Sequence, residues 1–294
     1  MATKFYNPDS DYLLKHLEEV QILTESTSFL REHYEGKKLK GETVTILSTT
    51  ALVDDAYELA MYRMEQGYYY AACSILECLE KVKYPKAFLA MANCYRNGLS
   101  VLVDMERADE LEKRAFSIWN ERAATGDAKA LFDLGICYRH GEGVPQDNAK
   151  AVEYYTLAYK NGYKGAALNL GIMYSEGHGV EKDYTKAYEF YSVAAENGVA
   201  DGFTLMGRHH YYGLGREVNY EKAVELFLKA SEDEEGDALY HLGCCYANGF
   251  GVKKDDEKAI EYFYRSAYAG MKEAEDVLKK NGLPYPLEEE DEEE

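Results

Sequence analysis

One pattern returns every 36 residues in this 294-residue chain and limits its fold more than any other feature. Leu134-Gly135, Leu170-Gly171, Met206-Gly207 and Leu242-Gly243 are separated by that step. So are the loop pairs Gly141/Gly143, Gly177/Gly179, Gly213/Gly215 and Gly249/Gly251, and the alanines Ala151, Ala187, Ala223 and Ala259. Units of this size cannot bury their apolar faces alone and must stack on their neighbours, which is the definition of a solenoid. Apolar residues at three-and-four spacing make each unit a pair of helices, so we expect an all-α array.

Each recurring residue has a structural task. A glycine within a helix costs about 1 kcal/mol relative to alanine. Its return at Gly135 and its equivalents therefore predicts a close approach, expected against the small Ala151 of the second helix. The Gly-x-Gly loops supply positive φ just past a helix end. Asp147, Asp183, Asn219 and Asp255 stand where N-caps of the second helices belong. A phosphate-binding reading of the glycines fails, because no strand precedes them and no lysine-containing phosphate loop follows.

Away from the regular array, Asp9 to Tyr34 carries Leu13, Leu17, Val20, Leu23, Leu30 and Tyr34 at helical spacing. A polar link with Lys37, Lys38 and Lys40 follows. Residues 51–64 and 69–82 read as a degenerate first helix pair. Phe88 to Gly98 aligns with Leu131 to Gly141 when 43 is added, which predicts a longer second helix between Ala108 and Gly126. The expected organisation is an arm, helix and linker over 1–50 and a solenoid over 51–282. The solenoid divides into degenerate units 51–125, regular units 126–270 and a cap 271–282, and an acidic tail occupies 283–294.

The series Leu134-Gly135-x-Cys137-Tyr138-x-x-Gly141-x-Gly143-Val144-x-x-Asp147-x-x-Lys150-Ala151, with its three echoes, resembles the Sel-one-like repeat, a relative of the tetratricopeptide repeat. That resemblance implies a right-handed α-solenoid whose first helices line a concave face, and a role as adaptor or scaffold. Members of the family join ubiquitin-ligase, cell-wall and virulence complexes. The chain departs from the pattern at Met206, His210, Arg216 and Glu234.

The tetratricopeptide analogy places non-repeating residues of the first helices in the groove: Asn93, Arg96, Phe132, Arg139, His140, Asn169, Arg208, Tyr211, Tyr212, Tyr240 and His241. The arginines would clamp a carboxylate or phosphate of a partner peptide. Alternatively they offset helix dipoles at C-terminal ends. Adjacent His209 and His210 would need a further ligand, such as His178 or His241, to hold a metal, and packed or solvated histidines are the expectation. No cofactor, metal or catalytic motif is read from the chain.

Charge and cysteine usage narrow the partners. The formal charge of -20 disfavours nucleic acid and anionic membranes. No membrane span or leader is read, and the six cysteines lack the repeat step of a disulfide framework, which points to reduced thiols and a cytoplasmic setting. The expected function is non-enzymatic binding of a protein or peptide. One alternative is an acidic mimic masking a basic surface. The other is a hydrolase of the β-lactamase kind assigned to some cysteine-rich relatives, whose paired cysteines this chain lacks.

Overall fold

The computed structural model describes residues 49–285, with side chains from residue 53 onward. The expected Asp9 to Tyr34 helix and most of the acidic tail lie outside the described residues. Thirteen α-helices, one 3-10 turn and no strand make up the described part. They are α1 (Thr49–Glu65), α2 (Tyr69–Lys81), α3 (Pro85–Asn97), α4 (Met105–Ala123), α5 (Ala128–His140), α6 (Asn148–Lys160) and α7 (Ala166–Glu176). There follow α8 (Tyr184–Glu196), α9 (Ala200–Tyr212), α10 (Tyr220–Ala230), the 3-10 turn Ser231–Asp233, α11 (Gly236–Asn248), α12 (Asp256–Tyr268) and α13 (Lys272–Lys280). The described residues form two compact units, one of 49–126 with 136–146 and the other of 127–135 with 147–285.

Caps explain where the helices begin and end. Asp147 accepts from the Lys150 amide at 3.0 Å, Asn219 from Lys222 at 2.8 Å and Asp255 from Lys258 at 3.1 Å. Asp183 takes the amides of Thr185 and Lys186, both at 3.0 Å. Asp104, which 43 residues place in register with Asp147, caps α4 through the Arg107 amide at 2.8 Å. These side chains satisfy amides that the first turn leaves without partners. The inserted residues lengthen α4 to 19 residues against 13 in α6, and Trp119 is buried there as a packing residue.

The main contact of the helical glycines differs from the one expected, although a Cβ on Gly171 would also stand 3.1 Å from the carbonyl oxygen of Ala187, the equivalent of Ala151. A Cβ on Gly135 would stand 2.5 Å from the Tyr155 ring, not against Ala151. Gly207 meets Phe227 at 2.5 Å, Gly243 meets Phe263 at 2.7 Å, and Gly171 lies against Tyr191 in the same way. The glycine therefore makes room for a buried aromatic ring one turn beyond the alanine. Tyr155, Tyr191, Phe227 and Phe263 keep the 36-residue step themselves.

In the first unit this pair is exchanged. Ala92 stands at the glycine position and Glu112 at the ring position, both buried. The Glu112 carboxylate receives Arg96 at 2.9 Å and the Gly143 amide at 3.3 Å.

At the turn after α10, Glu234 occupies the place of Gly126, Gly162, Gly198 and Gly270 and adopts φ 53°, a costly conformation for a side-chain-bearing residue. The helix closes early in a 3-10 turn, and Arg265 pairs with Glu234 at 2.7 Å.

Gly207→Ala is expected to lower unfolding stability by about 1–3 kcal/mol, because the ring of Phe227 is fully buried and has little room to retreat. Phe227→Leu in the same chain should return part of that loss. Thermal unfolding of the two single variants and the double variant measures the coupling; additive losses would contradict the contact.

Candidate functional site

The sequence-selected residues divide between the two units. Asn93, Arg96, Arg139 and His140 belong to the first; Phe132, Asn169, Arg208, Tyr211, Tyr212, Tyr240 and His241 belong to the second.

In the first unit Arg96 already has carboxylate partners, Asp109 at 2.8 Å and Glu112 at 2.9 Å. It borders a shallow cleft of about 250 Å³ with Lys113, Gly143 and Pro145. Asn93 is exposed and accepts from Asn97 at 2.7 Å. Arg139 offers its carbonyl to Gln146 at 2.8 Å. Burial and the neighbouring Arg139 charge lower the His140 pKa. Beside the cleft, burial pushes the Glu142 carboxyl up, with Glu112 adding to the effect and Arg96 opposing it.

The second unit brings five of the selected residues together. Arg208 on α9 reaches Asp237 on α11 at 3.3 Å. His241, one turn along α11, turns Nδ1 toward the Asp237 carbonyl at 3.1 Å and carboxylate at 3.3 Å. Both are acceptors, so the ring proton sits on Nδ1, and Nε2 is left to accept the Tyr212 hydroxyl at 3.3 Å. Tyr211 packs edge-on against Tyr212 at 4.8 Å and against His241 at 5.5 Å, and Tyr240 lies 5.6 Å from His241. The result is a polar and aromatic strip that crosses from α9 to α11.

Burial differs along that strip. His241 is buried and Tyr211 half-buried against Tyr220, Phe227 and Phe250, so these two support the surface from beneath. Tyr212, at 54% exposure, and the Arg208 side chain, at 43%, face solvent. Burial raises the hydroxyl pKa of Tyr212 and moves that of Tyr240 to about 12, while burial lowers His241 against the pull of Asp237. At neutral pH the strip therefore presents neutral rings around one ion pair. Phe132 lies elsewhere, its ring tilted against Tyr155 at 5.5 Å and Tyr163 at 4.9 Å, and Asn169 is half-buried on α7.

The paired histidines prove to be packing residues. His209 is buried among Tyr184, Tyr188 and Tyr191, with ring centroids 5.6, 5.9 and 5.5 Å away. Burial, followed by the Arg216 charge, lowers its pKa to about 4. His210 Nε2 lies 3.2 Å from the Tyr188 hydroxyl and 3.4 Å from Arg216, whose guanidinium covers the Tyr188 ring. Among the described residues no group of three His, Cys, Asp or Glu is placed to hold a metal ion.

Comparison with known proteins follows from this geometry. The Sel1 repeat family model matches residues 86–108, 128–163, 165–199, 204–234 and 236–271, more than half the chain. The chain belongs to the Sel1 repeat family. It is an α-solenoid of the tetratricopeptide-like kind, and its regular units coincide with the matched repeats. A Sel1 repeat protein from Oxalobacter formigenes is 26% identical with a TM-score of 0.58, covering 76% of this chain and 89% of its own. A protective antigen of uropathogenic Escherichia coli with the same fold is 28% identical with a TM-score of 0.51, over 78% of this chain and 49% of that one. An immunity protein from Pseudomonas aeruginosa, 19% identical with a TM-score of 0.51 over 79% and 89%, shares the fold. An uncharacterized Sel1-like repeat-containing protein of Schizosaccharomyces pombe is 39% identical over 57 residues, which is 19% of this chain and 9% of the yeast protein. The match therefore spans under a tenth of that relative's length.

Sequence reasoning did not select Asp237, which joins Arg208 to His241. Its position four residues before His241 on one helix was the available signal. No described helix is long and apolar enough to cross a membrane.

The His209 pKa has a consequence for stability. Its folded pKa lies below the ordinary 6.5, so the folded state favours the neutral ring; the stabilisation is complete above pH 6.5 and is lost as pH falls toward about 4. From this residue the Sel1 repeat protein should lose about 2 kcal/mol between neutral pH and about pH 5. His209→Phe should flatten that part of the profile, and an unchanged slope in denaturant titrations at the two pH values would exclude His209 as its source.

Proposed function

We propose that this Sel1 repeat protein is a non-enzymatic adaptor that holds a partner protein or peptide on the exposed strip of Arg208, Tyr212 and Tyr240. The observation that carries this reading is that residues departing from the repeat converge there, while the recurring positions are occupied by packing, turns and caps. Half-exposed tyrosines and an arginine are the side chains that supply most of the affinity in protein interfaces. A partner carboxylate, whether acidic side chain or C-terminus, would compete with Asp237 for Arg208. The free thiols, five buried and one half-buried, fit a cytoplasmic setting.

A second reading has its own support. Arg96, Arg107, Arg114, Arg208 and Arg265 all pair with carboxylates of the chain itself, so the acidic excess remains available to a basic surface on another protein.

Affinity purification from the source organism with the full chain and with Arg208→Glu/Tyr212→Ala separates these readings. The adaptor reading expects at least a tenfold loss of the captured partner with unchanged helical circular dichroism. Capture that survives the double substitution but disappears steeply with added salt would replace it with the acidic-surface reading.

A further inference from the structure

The Asp237 carboxylate is divided between a surface arginine and a buried histidine. Its Oδ2 takes Arg208 Nη1 from α9 at 3.3 Å, and its Oδ1 lies 3.3 Å from His241 Nδ1, one turn along α11. On the other side of the ring, the Tyr212 hydroxyl is 3.3 Å from Nε2. A change at Arg208 therefore reaches His241 through one carboxylate, and a change at His241 returns to the surface through Tyr212.

Arg208 has room for a second partner. Among the described residues it is held through Nη1 alone, so Nη2 and Nε are left to donate elsewhere, and the side chain is 43% exposed. His241 is buried. The groups that face it are Arg208, Tyr211 and Tyr212 from α9, the apolar Phe227 from α10, and Asp237 and Tyr240 on its own helix. Of these, Arg208 and Asp237 carry charge. Burial opposes the charged ring, Asp237 favours it, and Arg208 opposes it, so that the ring titrates below the ordinary 6.5.

Resting on the adaptor reading above, we propose that a partner carboxylate bound at Arg208 brings a proton onto His241 and turns the Tyr212 hydroxyl toward the partner. A carboxylate on Nη2 and Nε offsets the arginine charge and draws the guanidinium from Asp237. Asp237 is then left to His241 alone, and the ring takes a proton from solvent at Nε2. One anion and one proton enter together, so the strip gains no net charge. The bond to Tyr212 must now reverse. Nε2–H donates to the hydroxyl oxygen, and the hydroxyl hydrogen, previously committed to the ring, is free to donate outward. Tyr212 becomes a second donor beside Arg208 only when His241 is charged. Anion and proton thus reinforce each other, and linkage is reciprocal. Binding raises the titration of His241, so affinity for a carboxylate climbs as pH falls from the bound midpoint to the free one and levels off below it.

NMR of the histidine Cε1–H groups in the full chain follows this proton, with His241→Gln identifying the signal. Sodium acetate, compared with sodium chloride at equal ionic strength, is the ligand probe. Without acetate, Arg208→Gln should raise the His241 midpoint by about one pH unit, because a nearby positive charge is gone. Acetate should raise the midpoint in the unaltered chain and leave it in place in Arg208→Gln. Acetate affinity, read from the Arg208 side-chain signals, should be at least about threefold tighter at about pH 5.5 than at about pH 7.5. Tyr212→Phe and His241→Gln should each remove that difference. A His241 midpoint unmoved by Arg208→Gln would overturn the proposal. Acetate that shifts Arg208 but not the His241 midpoint would overturn the coupling and leave the adaptor reading standing. Acetate that shifts neither would remove the strip as a carboxylate site and the proposal with it, with partner capture still decided by Arg208→Glu/Tyr212→Ala.

Discussion

Each regular helix pair rests on the seating of an aromatic ring over a backbone that carries no side chain. Tyr155, Tyr191, Phe227 and Phe263 from the second helices lie on Gly135, Gly171, Gly207 and Gly243 of the first, and the buried rings anchor the layer. An aromatic ring contributes a large buried area in a thin structure that has few other ways to acquire one. The helix tolerates the conformational cost of glycine because that burial offsets it. The remaining recurrent features serve this contact: caps fix where the second helix starts, and left-handed glycines turn the chain so that the ring meets its seat.

Where that contact is replaced, polar chemistry enters the interior. With Ala92 in the seat and Glu112 in place of the ring, the first unit buries a carboxylate, and Arg96 and the Gly143 amide supply the charge and hydrogen bond it requires. An arginine that looked available to a ligand is therefore committed to its own chain. Arg208 is similarly engaged by Asp237, but across two successive first helices and with its side chain half open to solvent. The two arginines share a residue type and differ in consequence, because one answers a buried charge and the other joins neighbouring layers at the surface.

Much of the scaffold was legible because each recurring residue performs a local task. Asp147, Asp183, Asn219 and Asp255 cap helices that start where expected, and the 43-residue alignment extended that to Asp104 and the long α4. The aromatic seat keeps the same 36-residue step, but period alone does not say whether the glycine meets the alanine or the ring one turn further on. The candidate site was only partly legible. Helical spacing places Tyr211, Tyr212 and His241 on first helices, but whether a ring faces solvent or the next layer depends on the neighbour it meets.

By itself the sequence determined the repeat, the all-helical class, the starts of the capped second helices and the family, since these follow from periodicity and from residues acting within one or two turns. Tertiary structure alone decided that the glycines seat rings, that His209 is packed among tyrosines, and that Asp237 links Arg208 to His241 beneath Tyr212. Those outcomes depend on which side chains meet across separate helices, and neither propensity nor period specifies that meeting.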